Sequence, residues 1–185
     1  MFRKIIFLAI AFVSSILITG CSTTNSIPYK ASTNNIITLQ NKLKQTNTKV
    51  NLGDFVMAKG VDEEPTCRMM GPIKVAPGKT LSTYIKEAFQ EELFMAQAYD
   101  TSSSTTIEGR IEKIAFSSIS PANWEIALHV SSNKSPGYTT TVKYNFDTSY
   151  SAASACKNVA DAFGPAVQEL LGQVVNNSKF DELTK

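Results

Sequence analysis

Apolar side chains recur along the chain at two spacings, and the switches between them lay out the elements. Residues 50–59 (VNLGDFVMAK) alternate at strand period, with Gly53-Asp54 as a bulge. A polar loop, Asp62-Glu63-Glu64-Pro65, and an irregular stretch with Pro72 and Pro77 follow. Leu81, Tyr84, Ile85, Ala88, Phe89 and Leu93 then return every three or four residues, which predicts a helix from an N-cap at Thr80 to about Tyr99. One charged residue, Glu92, falls on that apolar stripe. In 106–117 the apolar phase changes after Ile111, so a bulge or a strong twist is expected near Glu112-Lys113. Trp124, Ile126, Leu128 and Val130 alternate cleanly, as do Tyr138, Thr140, Val142, Tyr144 and Phe146, with 133–137 as the hairpin loop between them. Cys156, Val159, Ala160, Phe163, Val167, Leu170, Leu171 and Val174 form the stripe of a last helix, about 151–175, which Gly164-Pro165 is expected to kink.

The order is β-α-β-β-β-α. It predicts a single α+β domain: a mainly antiparallel four-stranded sheet with two helices packed on one face. The opposite face carries Glu125, Ala127, His129, Ser131, Thr139, Thr141, Lys143 and Asn145, and is expected to meet solvent or a partner.

The first 20 residues are of another kind. Arg3 and Lys4 precede 14 residues, Ile5 to Ile18, that are apolar except for Ser14 and Ser15. A bilayer-spanning helix needs about 20 such residues, so a cleaved export signal is the stronger reading and an uncleaved anchor the weaker. Ile18-Thr19-Gly20-Cys21 resembles the lipobox of bacterial lipoproteins. The resemblance implies cleavage before Cys21 and a diacylglyceryl thioether, with further acylation of the new amine; two or three chains give stable anchoring. An ordinary signal with a chance cysteine is the alternative. Ser22 in place of Asp implies, by the enterobacterial sorting rule, the periplasmic face of the outer membrane.

Processing changes the charge. It removes Arg3 and Lys4 from 18 basic residues and none of the 16 acidic ones, so the 165-residue mature chain is formally neutral. No net field remains to draw in nucleic acid. Cys67 and Cys156 are then an even pair in an oxidising compartment, and a disulfide between them is expected; free buried thiols or a catalytic cysteine are the alternatives. The expected organisation is signal 1–20, lipidated N-terminus and tether 21–47, domain 48–176 and polar tail 177–185. Within the tether, Ile36, Ile37, Leu39 and Leu43 suit a short helix or strand that docks on the domain. A fully extended segment of this length would reach about 90 Å.

Candidate chemistry is sparse. Gly78-Lys79-Thr80 has the end of a P-loop, but the glycine that loop needs five residues earlier is Ile73, so a turn and a helix cap are expected and no nucleotide. His129 is the only histidine, too few for a typical zinc site or a serine triad. Glu108 and Glu112 would stand about 13 Å apart on a strand, too far for glycosidase carboxylates. The acidic loop at 62–64 is read as solvated rather than cation-binding. Trp124, Tyr138, Tyr144 and Phe146 are read as core, or in part as a groove for an acyl chain or peptide. No catalytic, cofactor or metal residue is singled out.

The layout is also similar to that of small outer-membrane lipoproteins that assist envelope assembly, a likeness of architecture with no residue motif behind it. The function expected is that of a non-enzymatic envelope lipoprotein, membrane-held through Cys21, that binds or supports a partner protein. The alternative is a carrier or sensor of a small apolar ligand such as a lipid, held between helices and sheet.

Overall fold

The computed structural model describes residues 23–24, 27–44 and 46–185. In chain order these form β1 (Thr23–Thr24), α1 (Thr33–Leu39), β2 (Asn51–Met57), β3 (Ile73–Lys74), α2 (Leu81–Met95), β4 (Thr106–Ser117), β5 (Asn123–Ser132), β6 (Ser135–Asn145) and α3 (Ala152–Asn176). The fold is α+β, with a four-stranded sheet of order β2-β4-β5-β6. β4, β5 and β6 are antiparallel neighbours, while β2 runs parallel to β4 because α2 carries the chain back across one face. β1 pairs in parallel with β3 in a separate two-stranded ladder.

Both expected bulges are present, between Leu52 and Phe55 on β2 and between Ile111 and Lys113 on β4. The second lets Ile107 and Ile111 face the helices and then returns Ile114 to the same side. The hairpin is tighter than its composition suggests. Ser132 pairs directly with Ser135, so Asn133-Lys134 alone make the turn, and Gly137 takes up the slack as a bulge with φ of 79°. A Cβ there would lie 1.7 Å from the Val130 carbonyl oxygen, so the position requires glycine.

α2 and α3 pack on one face of the sheet. Trp124 is wholly buried between the layers, stacks edge-on against Phe163 at 5.0 Å, and donates its indole N–H to the Val159 carbonyl at 2.8 Å. Phe163 continues to Tyr84 at 5.3 Å, so an aromatic file joins the sheet to both helices. α3 runs through Pro165 as one helix. Near its C-terminal end, the Val174 carbonyl accepts from the Tyr138 hydroxyl at 2.7 Å. α2 ends earlier than its apolar periodicity predicts. Gln97 adopts the left-handed conformation, and the bonds Gln97 N to Phe94 O and Ala98 N to Leu93 O close a Schellman cap. A glutamine at a position usually filled by glycine gives no compositional warning of this stop.

Two boundaries need correction. Residues read as tether contribute α1 and a π-helical turn, Gln40–Lys44, that lie across α2 and α3, with Leu39 and Leu43 buried. The tail is not simply polar: Phe180 and Leu183 are buried on a 3-10 turn, Phe180–Leu183. The two ends also meet, since Lys42 donates to the Asn177 carbonyl at 3.2 Å and pairs with Asp181 at 3.4 Å. The docking segment expected from Ile36, Ile37, Leu39 and Leu43 is thus present as a helix, whereas polar composition concealed the Phe180–Leu183 turn, which contributes only two apolar anchors.

Cys67 and Cys156 form a disulfide that joins the loop before β3 to the first turns of α3. It closes a span of 89 residues. Replacing both cysteines by serine is expected to lower the unfolding free energy by up to about 5 kcal/mol through unfolded-state entropy, measured by urea denaturation. Gly109 faces the Phe55 ring across the β2-β4 pair, and a Cβ there would sit 2.4 Å from a ring carbon. Gly109→Ala is expected to displace that ring at a cost of about 1–3 kcal/mol, read in the same assay.

Candidate functional site

The outer face of the sheet is polar and alternates in sign. Arg110 binds Glu112 at 2.7 Å, and Glu125 lies between Lys113 and Lys143, hydrogen-bonding the first and 3.6 Å from the second. Both lysine contacts hold the Glu125 carboxyl below the usual range, the Lys113 hydrogen bond contributing most. His129 points outward as its place in the pleat requires. Its Nε2 meets the Pro136 carbonyl at 2.9 Å, an atom that only accepts, so Nε2 carries the proton and Nδ1 accepts from Thr139 at 3.0 Å. Asp54, Val56, Glu108, Arg110, His129 and Lys134 are among the residues around an open depression of about 700 Å³ at the β2 side of this face. Val56, half exposed, is its apolar element.

A second constellation lies on the opposite side, beneath α1. Glu92, 0% exposed, receives four hydrogen bonds: from the Tyr29 hydroxyl at 2.7 Å, the Ser32 amide at 3.0 Å, and the Asn35 amide at 3.1 Å to each carboxylate oxygen. Asn35 also donates to the Gln168 carbonyl of α3 at 3.0 Å, and Gln168 donates to the Lys30 carbonyl. Every partner of Glu92 is a donor, which fits an acceptor-only carboxylate. Desolvation nevertheless dominates and pushes its pKa up, against the hydrogen bonds from Ser32, Tyr29 and Asn35. Burial and the adjoining carboxylate keep the Tyr29 phenol protonated.

A third grouping gathers at the disulfide end. The Arg68 guanidinium donates from Nε to the Ser118 hydroxyl at 3.0 Å, from Nη1 to the Ser149 carbonyl at 3.1 Å, and from Nη2 to the Ser118 carbonyl. It thereby clips three loops together, and Thr148 reinforces the join by donating to the Ser118 carbonyl at 2.6 Å. Ile119 and Tyr150 stand out from these loops.

The remaining sequence candidates fall into ordinary roles. Thr80 caps α2 by accepting from the Thr83 amide, Gly78 turns with φ of 69°, and Lys79 pairs with Glu87. The acidic loop is more structural than its solvated reading suggested. Glu63 accepts from the Ser82 amide at 3.1 Å and from its hydroxyl, and Glu64 pairs with Lys74. Desolvation opposes ionisation of Glu63, but the hydrogen bonds from Ser82 and Thr80 outweigh it and hold the carboxyl below the usual range. Tyr138 and Trp124 belong to the core, while Tyr144 and Phe146 are half-buried at its edge. Among the described residues no group of three or more His, Cys, Asp or Glu side chains could hold a metal ion, and no helix is long and apolar enough to cross a membrane. Cys21 lies outside the described residues. The Glu92 clasp was missed as a site; its signal was the single charge on an otherwise apolar stripe.

No protein-family model matches the chain, and no curated protein matches it. Among solved structures it is similar to protein XCC0632 from Xanthomonas campestris, described with the family label DUF330, at 13% identity and a TM-score of 0.43 over 69% of this chain and 84% of that one. A likeness that slight does not bear on function.

Glu92→Ala would strand the Ser32 amide and the Tyr29 hydroxyl without an acceptor and leave the Asn35 amide only its bond to the Gln168 carbonyl. It is expected to lower stability by about 3 kcal/mol and to raise hydrogen exchange selectively in 29–43. Because folding raises the Glu92 pKa, the Glu92 contribution is fully present below its unfolded value of about 4.5 and is lost as pH rises through the higher folded value. The stability of the native chain relative to Glu92→Gln is therefore expected to fall as pH is raised from 4.5, measured by urea unfolding across that window.

Proposed function

We propose that the mature chain is a non-enzymatic envelope lipoprotein, anchored by lipid on Cys21 at the periplasmic face of the outer membrane, that binds a partner protein across the outer face of its sheet. One observation carries the choice of surface: the face opposite the helices is broad, open and lined by charges of both signs, with the half-exposed Val56 beside them. Balanced charge around an apolar element suits the rim and centre of a protein interface. The carrier reading draws less support. It needs space between helices and sheet, and the Trp124–Phe163–Tyr84 file occupies that layer with the protein's own rings.

The anchoring half is tested by metabolic palmitate labelling: the native chain incorporates label and Cys21→Ser does not. For the docking half, a photo-crosslinking residue at Thr141 or His129 is expected to give one discrete adduct in intact envelopes. Arg110→Glu should abolish the adduct while leaving the thermal midpoint within a degree or two, as expected for an exposed position. Adducts formed equally from a control position on the opposite side, such as Lys157, would refute the choice of face.

A further inference from the structure

Three large apolar side chains stand almost fully in solvent at one end of the molecule: Met69 at 98%, Ile119 at 70% and Tyr150 at 107% exposure. They come from three separate loops. Met69 is in the tight turn closed by Cys67 N to Gly71 O, Ile119 precedes the Ser120-Pro121 bond, and Tyr150 precedes the Ser151 cap of α3. Isolated apolar residues on a surface call for no explanation, but these three are organised. Arg68 holds all three loops through the bonds described above, and the disulfide fixes the Met69 turn to α3. Ile119 and Tyr150 share the wall of a shallow depression of about 510 Å³.

The path of the chain says what this end faces. β1 places Thr23 and Thr24 against Ile73 and Lys74, immediately after the turn that carries Met69. Thr23 is two positions after Cys21, a reach of at most about 7 Å, where an extended tether to residue 47 would have allowed about 90 Å. Ile73 is four residues from Met69, so the chain enters the domain beside the turn that carries Met69.

We propose that Met69, Ile119 and Tyr150 form a membrane-contacting end, seated in the headgroup layer of the bilayer that holds the Cys21 lipid. The proposal rests on the lipoprotein reading above. Tyrosine suits such a depth, since its ring is apolar and its hydroxyl stays wet. The domain then stands directly on the lipid surface in one orientation, with its loops down, instead of swinging on a tether.

The test uses the lipidated full-length mature chain in phosphatidylethanolamine–phosphatidylglycerol vesicles with brominated acyl chains. Single substitutions Ile119→Trp, Tyr150→Trp and, as a control on the outer sheet face, Thr141→Trp report depth; the native Trp124 is wholly buried and supplies a constant background. Quenching at 119 and 150 with none at 141 is the expected result. Vesicle-bound protein with no quenching at any position overturns the proposal and leaves the lipoprotein reading standing, and so does protection of 119 and 150 by a dimer seen in sedimentation. Protein that fails to float with vesicles overturns both. In the unlipidated Cys21→Ser chain, the triple exchange Met69→Ser, Ile119→Ser, Tyr150→Ser is expected to reduce residual vesicle partition roughly tenfold; an unchanged partition counts against the proposal.

Discussion

The architecture depends on one buried carboxylate. Glu92 sits on the face of α2 that turns away from water, and four hydrogen bonds from the N-terminal segment converge on it. A carboxylate left unpaired there would be strongly destabilising, so α2 and the segment from Tyr29 to Asn35 are obliged to fold together. Asn35 extends the obligation to α3 through Gln168. The raised pKa says that the arrangement remains a net strain on the ionised group. Its gain is specificity of placement: a stretch rich in Ser, Thr and Asn acquires one address on the domain.

The four-stranded sheet and its two helices were legible because their signals are long and periodic. Eight apolar positions spaced along α3, and clean alternation over β5 and β6, leave little choice of element or face. The bulges were legible for the same reason, as changes of phase. What was not legible depends on partners distant in sequence. That β2 lies parallel to β4 follows from where α2 crosses, which no local pattern states. α1 and the π-helical turn after it were legible only as a docking segment: each has one buried apolar anchor, Leu39 and Leu43, and α1 takes the rest of its hold from hydrogen bonds to residues about 60 and 130 positions away. Phe180 and Leu183 are likewise isolated apolar residues in a polar run, and their turn packs on β6 and α3, which no local pattern announces.

For the candidate surfaces the balance is similar. The outward direction of His129 and its neighbours follows from the two-residue period of a strand. The Arg68 platform does not, because its three loops lie at about 68, 118 and 149 and share no motif. Exposed apolar residues in loops carry no periodicity, so Met69, Ile119 and Tyr150 become a group only once the guanidinium between them is placed.

The Cys67–Cys156 bridge has a consequence for the order of events as the chain folds. Cys156 follows Cys67 by 89 residues, so Cys67 waits without its native partner until β3, α2, β4, β5, β6 and the start of α3 have all been made. Through that interval Cys21, if it is the acylated residue, is the nearer thiol and the competing one. Attachment of lipid to its sulfur before oxidation would remove the competitor and leave a single pairing. Lipid modification would then act as a protecting group for the correct disulfide as well as an anchor.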